Sequence, residues 1–139
     1  MRSILTVLTI SFFISCTTSK YASHKVNKMN GSWIPVKEEI GGTSLPQAAF
    51  GNQKLTINDS NYMFIAESVD KGVIKYKDDK MDIYGREGVN TGKHFTALYK
   101  FENDQLIICY NLLGNSYPEA FDTKGKPLYF LAAFKREEK

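Results

Sequence analysis

Two histidines, two cysteines and one short acidic run are the residues of this chain whose types suggest chemistry, and their spacing limits what they can do. His24 and His94 lie far apart, and neither has a second ligand at the spacing a metal centre needs, so His94 reads as a surface or packed residue. Asp78-Asp79-x-x-Asp82 offers carboxylates to a cation, yet it lacks the glycine and the distal glutamate of an EF-hand loop. A hairpin turn accounts for Asp78 and Asp79 instead. No Gly-x-Ser-x-Gly elbow and no phosphate-cradling glycine loop occurs. These patterns point to a protein that is not an enzyme, with no cofactor and no metal. Cys109, inside Leu106-Ile107-Ile108-Cys109-Tyr110, reads as a small hydrophobe packed in a strand.

Cys16 is different. Arg2 begins the chain with positive charge, an apolar run extends from Ile4 to Ile14, and Ser15 precedes the cysteine. The run is shorter than the ~20 residues that cross a bilayer, so it reads as a signal peptide and not a span. Phe13-Ile14-Ser15-Cys16 resembles the bacterial lipobox, with Phe13 in the usual leucine position. That resemblance implies cleavage after Ser15 and lipidation of Cys16, which would anchor the chain to a membrane and leave Cys109 without a disulfide partner. Residues 1–15 are thus the signal peptide, 16–30 a polar tether and 31–139 the folded domain. The tether carries Lys20, Lys25 and Lys28 near anionic headgroups, and no acidic residue directly follows Cys16. The expected location is a bacterial envelope, on its periplasmic side.

Cleavage leaves 124 residues, enough for one domain that buries roughly two thirds of its chain surface. The formal charge is +3, and its lysines and arginines are interspersed with acids, which gives no footprint for nucleic acid. Strand-like segments are Ser32–Val36, Lys54–Asn58, Tyr62–Ser68, Val73–Lys77, Met81–Tyr84, His94–Phe101, Leu106–Asn111 and Leu128–Phe134. Turn residues separate them, and Pro46 is placed to open a single helical turn. Within His94–Phe101, Phe95, Ala97, Tyr99 and Phe101 share one face. Leu106, Ile108 and Tyr110 share another, as do Leu128, Phe130, Ala132 and Phe134. About eight antiparallel strands at short spacing predict an all-β meander that closes into a barrel or folds into a sandwich. The late strands are apolar on both faces, so one small helix packed outside the barrel is a candidate cover.

Gly31-Ser32-Trp33, at the mouth of the first strand, matches the Gly-x-Trp signature of lipocalin-like barrels. The resemblance implies that the indole plugs the closed end beneath a cation from near the C-terminus, and Lys135 or Arg136 is placed to supply it. A longer series of segments is similar to a small bacterial lipocalin-like domain family known from planctomycetes. The series comprises Leu45-Pro46, Leu55-Thr56-Ile57, the run Lys71 to Tyr76, Met81-Asp82-Ile83, the run Ala97 to Tyr110, and Pro118-Glu119-Ala120-Phe121. Tyr117 stands where that family has arginine. Its function is unknown, so the resemblance implies an eight-stranded antiparallel lipocalin-like barrel and no site residues. The expected role is non-catalytic binding of a small apolar or amphipathic ligand in the barrel. The alternative is a protein-binding lipoprotein, an inhibitor, immunity factor or envelope assembly accessory, acting through Gly41–Phe50 and through Leu113, Tyr117 and Phe121 of the last long loop.

Overall fold

The structure, a computed structural model, describes residues 28–138; Cys16, the signal segment and most of the tether lie outside the described residues. Nine strands form one antiparallel sheet: β1 (Gly31–Ile40), β2 (Thr43–Ser44), β3 (Lys54–Asn58), β4 (Asn61–Ile65), β5 (Val69–Lys77), β6 (Lys80–Glu87), β7 (His94–Glu102), β8 (Gln105–Asn111) and β9 (Tyr129–Arg136). Each of β3 to β8 pairs with the next in sequence. β1 pairs with both β3 and β9, so eight strands close into an up-and-down barrel, and β2 is a short addition on β1. Closure leaves the eight barrel strands with no long free edge. One 3-10 turn, Gln47–Ala49, follows Pro46. The outcome is the barrel of the two sequence-based alternatives.

The period of two sets the inside. Ala97, Tyr99, Leu106, Ile108, Ala132 and Phe134 all belong to the buried core, as the alternation in β7, β8 and β9 requires. Tight turns at Asn58–Asn61, Lys77–Lys80 and Glu102–Gln105 lie together at one end, with Asp59, Asp78, Asn103 and Asp104 at positive φ. Asn and Asp tolerate that backbone region best among residues with side chains. The longer connections, 41–53, 66–68, 88–93 and 112–128, gather at the other end.

Several boundaries differ from the sequence expectation. β1 continues past Val36 to Ile40, β5 begins at Val69 instead of Val73, Tyr62–Ser68 ends as a strand at Ile65 before a turn, and β6 and β9 run on to Glu87 and Arg136. Asp70-Lys71-Gly72 has poor strand propensity, but its pairing with β4 and β6 overrides that preference. Gly72 is required there, because a Cβ would lie 2.6 Å from the Tyr62 ring and 2.1 Å from the Tyr84 carbonyl oxygen. The cover over the apolar outer face of β7, β8 and β9 is loop 112–128 and not a helix. Beneath it Leu98, Cys109, Leu131 and Ala133 are buried on the outside of the barrel.

Candidate ligand cavity

The barrel is not filled by its own side chains. A cavity of about 440 Å³ opens at the long-loop end, a volume within the ~300–1,000 Å³ typical of small-molecule sites. Its aliphatic wall comprises Leu55, Ile57, Ile74, Met81, Ile83 and Ile108. The rings of Tyr62, Phe64, Phe95, Tyr110 and Phe130 complete it. At the mouth, Asp70 accepts hydrogen bonds from the Asn90 backbone N–H at 3.1 Å and its side-chain amide at 2.9 Å. Lys93 Nζ donates to Asn90 Oδ1 at 3.1 Å.

Several polar groups inside the barrel are left without protein partners. The Tyr76 hydroxyl is buried and has no hydrogen bond. Burial pushes the Tyr110 phenol up, and the nearby Glu38, Tyr62 and Tyr76 reinforce the shift. Burial and Asp70 raise that of Tyr62. Glu38 is 3% exposed, and among the described residues its carboxyl has neither a hydrogen bond nor an ion pair, although its oxygens, unlike the Tyr76 hydroxyl, are not fully closed off. Desolvation raises its pKa from 4.5 to about 7.

Glu38 was not a candidate in the sequence, and the cause is local. Straight alternation from Trp33 would turn Lys37 and Glu39 inward. A bulge between Pro35 and Lys37 leaves Val36 without a partner and shifts the register by one, so Glu38 stands opposite core residue Ala132. Proline, which cannot donate to the ladder, was the available signal. β1 pairs with β3 only over Gly31–Trp33, and farther along the 41–53 connection covers that side, with Leu45 N–H donating to the Glu38 carbonyl at 2.9 Å.

The closed end holds the Gly-x-Trp residues. Trp33 is 2% exposed, and its indole N–H donates to the Met29 carbonyl at 2.9 Å. The cation over its ring is Arg136, 4.2 Å from the centroid. Lys135 alternates to the outer face, opposite Ile34 and Gln105. Arg136 also donates to the carbonyls of Asn30 at 2.6 Å and Lys28 at 2.9 Å, tying the incoming chain to the last strand. Gly31 sits at φ 133°, and a Cβ there would meet the Arg136 guanidinium at 2.3 Å.

Leu113, Tyr117 and Phe121 do not come together. Leu113 is exposed, Phe121 is half-buried beneath Lys100, and Tyr117 is turned onto the outer barrel wall. Its hydroxyl donates to Asp82 at 2.5 Å, while His94 Nε2 lies 2.8 Å from the other carboxylate oxygen and stacks on Tyr84. Burial works against the Asp82 charge, but the bonds from Tyr117 and His94 outweigh it and hold this carboxyl below its usual range. The same bond, with some burial, pushes the Tyr117 phenol up to about 12. Asp82 is therefore a tether point for the loop. Thr96 and Asn111 hold the Ser116 carbonyl, and Thr123 Oγ1 donates to Glu39 and accepts from the Gly42 N–H. Among the described residues no group of three or more His, Cys, Asp or Glu is arranged to hold a metal ion.

Fold and cavity together define the class: a closed, eight-stranded, antiparallel lipocalin-like barrel with an opening at one end. Compared with known proteins, the chain matches no protein-family model and no curated protein sequence.

Proposed function

We propose that this chain is a lipid-anchored protein of the bacterial envelope whose barrel binds a small apolar or amphipathic molecule without transforming it. The observation that carries the reading is the cavity of about 440 Å³, walled by aliphatic and aromatic side chains and open at one end. Apolar walls with a few polar groups are the usual composition of a ligand pocket. The anchor rests on the signal-like segment and Cys16. Mass spectrometry of the protein, first intact and then denatured after gentle release from its membrane, tests the binding. A stoichiometric small molecule lost on denaturation supports it. Protein that carries nothing and fails to take up a neutral apolar dye refutes it.

A second reading, attachment to a protein partner, has one observation in its favour. Ile40, Val69, Val89, Leu113 and Leu128 are all exposed and all lie at strand ends or loops of the open end. Scattered exposed aliphatics are ordinary, and Val36 at the β1 bulge is one, but five gathered at one rim suit a contact surface. Cross-linking in envelope preparations that yields one reproducible protein partner, lost on Val89→Asp plus Leu113→Asp, would favour this reading.

A further inference from the structure

The cavity of a small-molecule carrier should complement its cargo in charge as well as shape, and the inside of this barrel is unbalanced. Two carboxyl groups belong to it: Asp70 in the cavity wall at the mouth, 5% exposed, and Glu38 on the inward face of β1, 3% exposed, which does not line the cavity itself but acts electrostatically on the lining residue Tyr110. The cation that lines the cavity, Lys93, is exposed at the mouth, where it bonds Asn90. Arg136 is committed to Trp33 and the chain entrance at the opposite end. Asp70 has its two bonds from Asn90, whereas the Glu38 carboxyl has no partner among the described residues. A buried carboxyl without a partner costs several kcal/mol of solvation, so folds rarely retain one that nothing compensates.

Aromatic rings are the second observation. Tyr62, Phe64, Phe95, Tyr110 and Phe130 all line the same space, and a positive ligand charge is attracted to aromatic rings when desolvated. A carboxylate ligand would meet the opposite conditions: the lining cation, Lys93, stands exposed at the mouth and is bonded to Asn90, and two acids of like charge lie inside.

From this aromatic-lined cavity and the unpartnered Glu38 carboxyl behind its wall we infer that the ligand is a hydrophobic organic cation, an amine or quaternary ammonium on an apolar body, with its charge held beside Tyr110 on the side of Glu38. The inference deepens the small-molecule reading above and rests on it. Glu38 has a raised pKa of about 7, so a cation that favours its ionised form binds with release of a proton. Glu38 acts electrostatically on Tyr110 of β8, which in turn feels Tyr62 of β4 and Tyr76 of β5. All are phenols with raised pKa values, so they stay neutral across the range in which Glu38 ionises.

Calorimetric titration of the purified protein with decylamine, decanol and decanoate at about pH 8.5, where the amine and the acid probe are both charged, tests this. Decylamine should bind roughly tenfold or more tightly than either of the others, a difference a single buried charge-assisted contact can supply. Glu38→Gln should lose about tenfold in decylamine affinity and leave decanol unchanged. In the wild type the amine should weaken by a similar factor at about pH 5.5, and in Glu38→Gln it should not. Equal binding of the three probes, preference for decanoate, or amine binding indifferent to both Glu38→Gln and Asp70→Asn overturns the inference while leaving the small-molecule reading intact. If none of the three binds to protein shown folded by circular dichroism, both fall.

Discussion

Replacing Trp33 with alanine tests the closed end of the barrel. The indole is 2% exposed, its N–H is bonded to Met29, Arg136 covers one face, and Phe101 packs at 6.0 Å between centroids. Truncating a buried large aromatic costs about 3–5 kcal/mol. The orphaned Met29 carbonyl, about 1 kcal/mol, and the lost cation–π contact, about 0.5–1 kcal/mol for an exposed arginine, place Trp33→Ala toward the upper part of that range. Against a total of about 5–15 kcal/mol, this is severe. It corresponds to a fall in Tm of roughly 15–30 °C for a domain of this size. Urea unfolding followed by circular dichroism measures the loss, with Trp33→Phe as the milder comparison that keeps a ring but removes the donor. A double-mutant cycle of Trp33→Phe with Arg136→Ala isolates the contact between them. A Trp33→Ala loss below about 1 kcal/mol, or native tryptophan emission that is already water-like and unmoved by urea, would refute the closed-end packing.

The remaining predictions concern three other positions. Because the folded pKa of Glu38 is raised to about 7 from 4.5, the stability tied to its protonated form is fully present below about pH 4.5 and is lost as pH rises through 7. Glu38→Gln should therefore flatten the pH dependence of stability in that window and be more stable than wild type at about pH 8, by up to ~3 kcal/mol, in urea unfolding. Cys109 is buried under loop 112–128, and burial raises its thiol pKa, so it should resist thiol reagents in the native protein. Thr123→Val, which removes the loop's bonds to Glu39 and Gly42, should accelerate labelling by about tenfold or more, read from absorbance of the released thiolate. Cys16→Ser should move the protein from the membrane fraction to the soluble one, since each acyl CH2 buried in lipid contributes about 0.8 kcal/mol. Retention in the membrane pellet at high salt would exclude the lipid anchor.

Much of the barrel was legible because its late strands alternate cleanly. Phe95, Ala97, Tyr99 and Phe101 on one side of β7, and Phe130, Ala132 and Phe134 on one side of β9, define an interior without reference to any other element. The turns were legible for a similar local reason, since Asn58-Asp59 and Asp78-Asp79 carry their own backbone preferences. The candidate cavity was less so. Its volume depends on how eight strands stagger around a common axis, which no single segment encodes. Glu38 turns inward only because of the bulge at Val36, and in sequence it sits among Lys37 and Glu39 as one charge of a solvated edge. Asp82 and Tyr117 meet across the outer wall from positions separated by two strands and a loop, so their partnership has no signature in spacing.

The way the chain enters and leaves the barrel bears on how such a protein would be oriented. Lys28 and Arg136 are joined at the Trp33 end, so both termini of the described chain emerge from the base and the opening lies at the opposite pole. Eleven residues separate Cys16 from Lys28, a reach of at most about 40 Å. If Cys16 carries a lipid, the attachment therefore lies at the base of the barrel, and the rim is the pole farthest from the point of attachment. A fluorophore or surface attachment at either terminus likewise sits beneath the barrel and leaves the rim unobstructed.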